Sequence, residues 1–147
     1  MIRVLLVDDN GPILKSLCSF LEAAEDIQVV ATATNGVDAV DKACSYRPDM
    51  AVIDISMPIL NGIEATVHIL ECWPLTQVIL LSGFDNPAYV QRALEVGAKG
   101  YVLKDSAGHD LLKAIHTIQR GDRYFSEKIA EIAEKYLARK GDHNSAV

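Results

Sequence analysis

Short apolar stretches alternate with longer amphipathic stretches along the 147 residues of the chain. The short stretches are rich in Val, Leu and Ile and predict buried strands, whereas the longer ones repeat their apolar side chains at the spacing of one helix face. Candidate caps agree with this division, since Pro12 and Pro87 suit first helical turns, Asn35 suits an N-cap, and Gly97 and Gly121 suit helix ends. Strands are predicted at residues 2–7, 27–33, 49–54, 77–82 and 99–103, and helices at 12–24, 36–46, 62–72, 87–96 and 107–119.

The predicted strands are apolar over nearly their whole length, and this property indicates where they lie. Residues 78–81, for example, are Val, Ile, Leu and Leu, so both faces of this strand need a covering layer. Helices that connect parallel strands by right-handed crossovers provide such cover. The pattern therefore predicts an α/β fold with a doubly wound, five-stranded parallel sheet.

The C-terminal part of the chain is predicted to add one more helix. Residues 121–126 have the composition of a loop, residues 127–139 have a helical period, and residues 141–147 are polar and aperiodic. We therefore expect a loop, a helix packed on the fold, and a frayed tail. The predicted division is one domain at residues 1–121, followed by a C-terminal helix and tail at residues 122–147.

The charge distribution excludes several classes of function. The chain has 20 acidic and 14 basic side chains, a formal net charge of −6, and no run of Lys or Arg that would follow a phosphate backbone, so direct nucleic-acid binding is not expected. No apolar run approaches the roughly 20 residues that span a bilayer, and the apolar start of the chain ends at Asp8. These features predict a cytoplasmic location without membrane attachment.

The cysteines give no sign of a disulfide framework or a zinc site. Cys18, Cys44 and Cys72 are odd in number, far apart, and without the spacing of a metal-binding motif. We therefore expect reduced and mostly buried thiols.

Three acids and one lysine stand at the ends of predicted strands and carry the candidate chemistry. Asp8 and Asp9 follow the first strand, Asp54 ends the third, and Lys104 follows the fifth. Ligands bind at the carboxyl ends of the strands in doubly wound folds, where these side chains would share a pocket. Clustered carboxylates resist ionisation unless a cation joins them. The grouping therefore predicts a site for a hard metal ion that can also hold a phosphoryl group.

Short motifs surround these four residues, and their order and spacing are far more specific together than any one of them is alone. The motifs are Val7-Asp8-Asp9-Asn10, Asp54-Ile55-Ser56-Met57-Pro58, Asn61-Gly62, Leu81-Ser82-Gly83 and Gly100-Tyr101-Val102-Leu103-Lys104.

With these motifs, residues 2–120 resemble the receiver domain of response regulators in two-component signal transduction. The resemblance implies a flavodoxin-like fold with strand order 2-1-3-4-5. It also implies that Asp54 is the phosphoacceptor, which takes a phosphoryl group from a sensor histidine kinase and becomes an acyl phosphate. The chain would then be a regulatory phosphoacceptor and not an enzyme that acts on external substrates.

The resemblance assigns the metal site to Asp8, Asp9, Asp54 and the main-chain carbonyl of Ser56. Mg²⁺ is the implied ion, with Mn²⁺ as a substitute, because a few carboxylates that leave room for water and phosphate suit octahedral coordination. The structural alternative is that acids after strands stabilise the next helix terminus or cap the next loop. Three acids facing one another are more than that role requires.

The remaining assignments concern the phosphoryl group and the response to it. Lys104, Ser82 and Gly83 are implied to contact the phosphoryl group, and Ser82 and Tyr101 are implied to form a conformational switch. The alternatives are a structural ion pair between Lys104 and Asp54, an ordinary turn at Ser82 and Gly83, and a tyrosine that only packs in the strand.

Residues near the end of the match point to one subfamily. The pair Lys104-Asp105 and the segment at residues 123–126 resemble receivers that precede a LuxR-type helix-turn-helix. The part after residue 126 is too short for such a domain, so any DNA contact would need an output domain absent from this chain. We predict either the receiver part of a transcription regulator or a stand-alone response regulator, and in both cases a homodimer that forms on phosphorylation.

Two other classes of protein are disfavoured by single positions. A Mg²⁺-dependent aspartyl-phosphate phosphatase normally has a second acid two residues after its nucleophile, where this chain has Ser56. A nucleotide-binding doubly wound domain needs a glycine-rich first turn, which residues 8–12 do not provide.

Overall fold

The computed structural model of the chain describes residues 1–145, and in it strands form where the sequence is continuously apolar. All five predicted strands and all six predicted helices are present. The strands are β1 (Ile2–Val7), β2 (Ile27–Ala33), β3 (Met50–Asp54), β4 (Gln77–Ser82), β5 (Gly100–Leu103) and β6 (Tyr124–Phe125). The helices are α1 (Gly11–Glu22), α2 (Gly36–Tyr46), α3 (Gly62–Cys72), α4 (Pro87–Glu95), α5 (Ala107–Gln119) and α6 (Glu127–Ser145), with a short 3₁₀ turn at Lys104–Ser106.

The strands form one parallel sheet in the order β2-β1-β3-β4-β5-β6, with helices on both faces. One core layer is covered by α2, α3, α4 and α6, and the other is covered by α1 and α5. Strands β1, β3 and β4 are central and almost wholly buried, which explains their lack of polar alternation. The predicted doubly wound α/β fold is confirmed, and the five-stranded prediction must be corrected to six strands.

The sixth strand lies in the segment that was predicted to be a loop. Tyr124 and Phe125 pair with Gly100 and Tyr101 of β5 and extend the sheet by one short parallel strand. Two residues are too few to show a strand period, and the preceding Gly121-Asp122 is a loop signal. The strand therefore depends on pairing with β5, which no local pattern reveals.

Helix α6 packs on the sheet and is longer than predicted. Its buried side chains, Ile129 and Ala133, join the core layer that contains α4. The helix continues past residue 139 to Ser145 and so includes part of the predicted tail, while residues 146 and 147 lie outside the described part. A helix anchored by packing in its first turns can extend through polar residues that have no periodic signal of their own. No helix within residues 1–145 combines the length and the apolar character that a membrane span requires.

The prediction of reduced cysteines is wrong for two of the three. Cys44 of α2 and Cys72 of α3 form a disulfide, with Cα atoms 5.8 Å apart and a sequence separation of 28 residues. The two helices lie side by side on one face of the sheet, and sequence spacing alone cannot show this. Cys18 in α1 is a free and half-buried thiol, as expected.

Candidate functional site

The parallel register brings the chemistry-bearing strand ends to one edge of the sheet. Val7 pairs with Ile53, so Asp8 and Asp54 leave neighbouring strands at the same level. On the other side of β3, β4 ends at Ser82, and β5 ends one residue before Lys104. The predicted pocket is therefore a consequence of in-register parallel pairing.

Lys104 lies between two buried carboxylates. Its Nζ atom is 2.9 Å from Oδ2 of Asp54 and 3.1 Å from Oδ2 of Asp8, and these acids are 1% and 0% exposed. Asp9 is exposed at the rim, yet ligand oxygens of all three acids lie within 4.8 Å of one another. The structure thus brings together all four residues that the sequence placed at strand ends.

Backbone turns hold each buried carboxylate in a fixed orientation. Oδ1 of Asp8 accepts a hydrogen bond of 2.9 Å from the N–H of Asn10, and Oδ1 of Asp54 accepts one of 3.1 Å from the N–H of Ser56. In both acids the second oxygen therefore faces Lys104. Short side chains that bind their own backbone two residues later are a common turn device. Here the two turns orient the Oδ2 atoms of Asp8 and Asp54 towards the Nζ atom of Lys104.

Helix α3 begins directly against the backbone of Asp54. Asn61 caps the helix in a reciprocal capping box with Glu64, and the N–H of Gly62 donates to the carbonyl oxygen of Ile55. A Cβ atom at Gly62 would lie 2.3 Å from the carbonyl oxygen of Asp54, so only glycine allows this approach. The Asn61-Gly62 motif thus sets the distance between α3 and the site.

Burial and charge shift the pKa values of the central pair. Burial raises the pKa of Asp54 to about 6, the hydrogen bond from Lys104 opposes the shift, and the charge of Asp8 adds to it. Burial by itself would lower the pKa of Lys104, but the hydrogen bond to Asp54 and the charges of Asp54 and Asp8 outweigh it and raise that pKa. The single positive charge of Lys104 therefore leaves part of the negative charge of Asp8 and Asp54 uncompensated.

This incomplete compensation fits a divalent cation. Among the described residues, Oδ2 of Asp8 is buried and has no hydrogen-bond donor of good geometry, although Lys104 is near. Three carboxylates with one at the rim suit Mg²⁺, which prefers oxygen ligands and retains water. Ser56 is exposed next to the cluster, and the role of its carbonyl as a ligand stays a prediction.

The two residues predicted to form the switch share one backbone partner. Oγ of Ser82, which is fully buried, accepts a hydrogen bond of 2.9 Å from the N–H of Phe84. Tyr101 is 1% exposed and its hydroxyl donates to the carbonyl oxygen of Phe84 at 2.7 Å. Gly83, which lies between Ser82 and Phe84 in the sequence, is exposed, and no atom lies within 4 Å of the position that a Cβ atom would take. The phosphate contacts and the switch stay predictions.

The sequence did not indicate that the backbone of Phe84 binds both Ser82 and Tyr101. Nor did it indicate a hydrogen-bond network of Asp110, Tyr124 and Ser126 behind the end of β5. Both features depend on contacts between elements that are far apart in the sequence, and neither has a local motif.

Substitution of Asp54 by Asn is expected to stabilise the protein when divalent cations are absent. A carboxyl group whose pKa rises from 3.8 to about 6 on folding costs stability above the folded value, and this cost vanishes below the unfolded value. The gain in the free energy of unfolding should be at most about 3 kcal/mol near pH 7.5, at about 1.4 kcal/mol for each pKa unit. It should decrease as the pH falls through 6 towards 4, because Asp54 then becomes neutral in the unaltered protein.

Urea unfolding in EDTA at several pH values measures this gain. Asp41→Asn, at an exposed position of α2, is the matched control and should leave the stability nearly unchanged. Loss of stability in Asp54→Asn near neutral pH would contradict the charge balance described above, as would a gain that does not depend on pH.

Comparison with known proteins agrees with this geometry. A family model described as a response regulator receiver domain matches residues 4–116. The transcriptional regulatory protein LnrK of Bacillus subtilis (strain 168) is 39% identical over 121 residues, which are 82% of this chain and 55% of LnrK. The chain therefore spans little more than half the length of this relative.

Solved structures of response regulators also resemble this chain. A two-component response regulator of the LuxR family from Aurantimonas sp. SI85-9A1 superposes with a TM-score of 0.87 at 30% identity, over 94% of this chain and 99% of that one. A structure of RcsB dimers bound to DNA has a TM-score of 0.82 at 27% identity, over 91% of this chain and 68% of that one. With the family model covering most of its length, the chain belongs to the response regulator receiver family.

Proposed function

We propose that Asp54 accepts a phosphoryl group from the phosphohistidine of a sensor histidine kinase. The observation that carries the proposal is the contact of one lysine with two buried carboxylates, because such a site has an acceptor oxygen, a mobile positive charge and a surplus of negative charge. A divalent cation from solution would neutralise this surplus near neutral pH.

The proposed reaction is a transfer between two nucleophiles and involves no redox step. A carboxylate oxygen of Asp54 forms a bond to phosphorus while the phosphorus–nitrogen bond of the donor breaks, and the donor imidazole takes up a proton. Lys104 then exchanges its resting partner Asp54 for a phosphoryl oxygen, a change that suits a flexible point charge. Asp54 has a fixed orientation for the attack because Ser56 holds its other oxygen.

Mg²⁺ would be held by Asp8, Asp9, Asp54 and the main-chain carbonyl of Ser56, and Mn²⁺ would substitute for it. When bound, the ion supplies charge neutralisation to the transferred group, whose reaction depends mainly on positioning and electrostatic stabilisation.

The response to phosphorylation is proposed to pass through Phe84. Ser82 and Tyr101 both bind its backbone, so a Ser82 hydroxyl that turns towards a phosphoryl group would change the position of this loop and of Tyr101. Gly83 beside it offers space for the approach. The outcome would be a population shift of the surface around α4 and β5.

The output is proposed to be the control of transcription. LnrK is named a transcriptional regulator, and RcsB has been solved on DNA as a dimer. We propose that residues 1–121 are the receiver and that residues 122–147 connect it to an output domain that contacts DNA. The proposed location is the cytoplasm, where a DNA-binding regulator would act. A stand-alone response regulator is the second candidate, whereas an aspartyl-phosphate phosphatase is disfavoured because Ser56 occupies the position of its second acid.

Beryllofluoride, a mimic of the phosphoryl group, tests this function together with Mg²⁺. The unaltered chain is expected to bind the mimic and to shift from monomer to dimer, as measured by analytical ultracentrifugation. Asp54→Asn keeps the shape of the side chain but lacks the carboxylate, so it should stay monomeric. An unchanged size of the unaltered chain with the mimic bound would contradict the predicted dimer, and absence of binding would contradict the proposed site.

A further inference from the structure

Ser126 links the end of β5 to the first turn of α6. It is 1% exposed, its Oγ atom accepts a hydrogen bond of 3.0 Å from the N–H of Leu103, and its carbonyl oxygen accepts hydrogen bonds from Ile129 and Ala130 in α6. A single residue therefore joins the last peptide of β5 to the beginning of the C-terminal helix.

Asp110 of α5 fixes the orientation of the Ser126 hydroxyl group. This acid is 6% exposed, and its Oδ2 atom accepts the Ser126 hydroxyl hydrogen at 2.8 Å. Its Oδ1 atom accepts the hydroxyl hydrogen of Tyr124 at 2.7 Å. A carboxylate is an acceptor only, so the hydrogen of Ser126 must point towards Asp110 and a lone pair remains for the N–H of Leu103. The arrangement allows one hydrogen-bonding pattern and no other.

The residue whose N–H Ser126 accepts, Leu103, lies directly before Lys104 of the candidate site. Leu103 is followed by Lys104, whose ammonium contacts Asp54 and Asp8. A change in the position of Lys104 therefore acts on the peptide that Ser126 holds, and a displacement of α6 acts on Lys104 by the same route. Ser126 and Asp110 are buried, so breaking the hydrogen bond between them would leave an unpaired buried polar group, and the two residues are expected to move together.

We propose that Ser126, oriented by Asp110, is a positioning residue for Lys104 and couples the site to α6. The inference rests on the proposed function, since it concerns the response of the same site to a phosphoryl group. Coupling of two sites is reciprocal, so the phosphoryl mimic should alter α6, and loss of the link should weaken binding of the mimic.

Hydrogen exchange measured by mass spectrometry, with and without Mg²⁺ and beryllofluoride, tests the first direction. In the unaltered chain the peptides of α6 should change their exchange rates when the mimic binds. In Ser126→Ala this response of α6 should decrease, because the side-chain link to Leu103 is removed and only the main-chain hydrogen bond of residue 126 to Tyr101 is kept, while peptides around Asp54 still respond. A merely structural role for Ser126 would change basal exchange but would leave the response to the mimic intact.

Titration with beryllofluoride tests the reverse direction. Ser126→Ala should raise the half-saturating concentration about fivefold or more, the lower end of ordinary allosteric coupling. Asp110→Leu, which removes both acceptor oxygens, should shift both readouts in the same direction and provides the test if Ser126→Ala does not fold. Tyr124→Phe removes the other hydrogen bond to Asp110 but leaves the link to Leu103, so it should behave as the unaltered chain.

The possible outcomes separate this inference from the function on which it rests. If the unaltered chain does not bind the mimic, both fail. If it binds the mimic and the two variants at Ser126 and Asp110 show the normal response of α6 and normal titration, only the coupling is overturned. Equal effects in Tyr124→Phe and Ser126→Ala would also overturn it, because the link to Leu103 would then be irrelevant.

Discussion

Lys104→Met is expected to lower the free energy of unfolding by about 3 kcal/mol near pH 7.5 when divalent cations are absent. Methionine retains the length of the side chain but removes the only cation within 4 Å of the Asp8 and Asp54 carboxylates in the described part of the chain. Two buried carboxylates would then face each other without a compensating positive charge. Removing one partner of a buried ion pair destabilises a protein by more than the intact pair stabilises it.

Two further changes should restore the stability that Lys104→Met loses. Mg²⁺ should restore part of the stability because it supplies the missing positive charge, and the double variant Lys104→Met with Asp54→Asn should restore it without metal. Urea unfolding followed by circular dichroism measures all three effects. Lys15→Met, at an exposed position of α1, is the control and should have almost no effect. A Lys104→Met protein of unchanged stability in EDTA would show that the ammonium does not compensate the acids.

Gly62→Ala is expected to be comparably destabilising, by about 3 kcal/mol, for a steric reason. The added methyl group would lie 2.3 Å from the carbonyl oxygen of Asp54 and 2.9 Å from the Cα atom of Ile55, and both are backbone atoms in the middle of the fold. Helix α3 must therefore move away from β3, and the orientation of Asp54 should change with it.

Chemical denaturation measures the loss of stability, and the rate of phosphorylation by a small phosphodonor measures the change at the site. Gly108→Ala is the matched control, since a Cβ there meets no atom within 4 Å in the second residue of α5. That variant should be neutral or more stable by up to about 1 kcal/mol, because alanine loses less backbone freedom in a helix. Equal behaviour of the two variants would contradict the close approach of α3 to Asp54.

The sequence allowed prediction of those strands and helices that have a recognisable pattern within their own residues. Strands β3 and β4 contain unbroken apolar runs at residues 50–53 and 78–81, and helix α3 begins at a capping motif, so their existence and order follow from the chain alone. Strand β6 has only Tyr124 and Phe125, and it is recognisable as a strand only by its pairing with β5. The disulfide between Cys44 and Cys72 likewise depends on the packing of two helices.

The same distinction holds for the site. The cluster of Asp8, Asp54 and Lys104 was predictable because parallel pairing forces strand ends together. Two hydrogen bonds near the cluster, from Tyr101 to the backbone of Phe84 and from Leu103 to the hydroxyl of Ser126, join residues 17 and 23 positions apart without any motif. Sequence reasoning found the chemical groups, and the structure was needed to find what positions them.

The central claim is that this carboxylate cluster makes Asp54 able to accept a phosphoryl group. Intact-mass analysis after incubation with a small phosphodonor and Mg²⁺ tests it most directly, with Asp54→Ala and an EDTA sample beside the unaltered chain. We predict one added phosphoryl group that is absent from both comparison samples. Phosphorylation that persists in Asp54→Ala, or none in the folded unaltered chain with Mg²⁺, would contradict the claim.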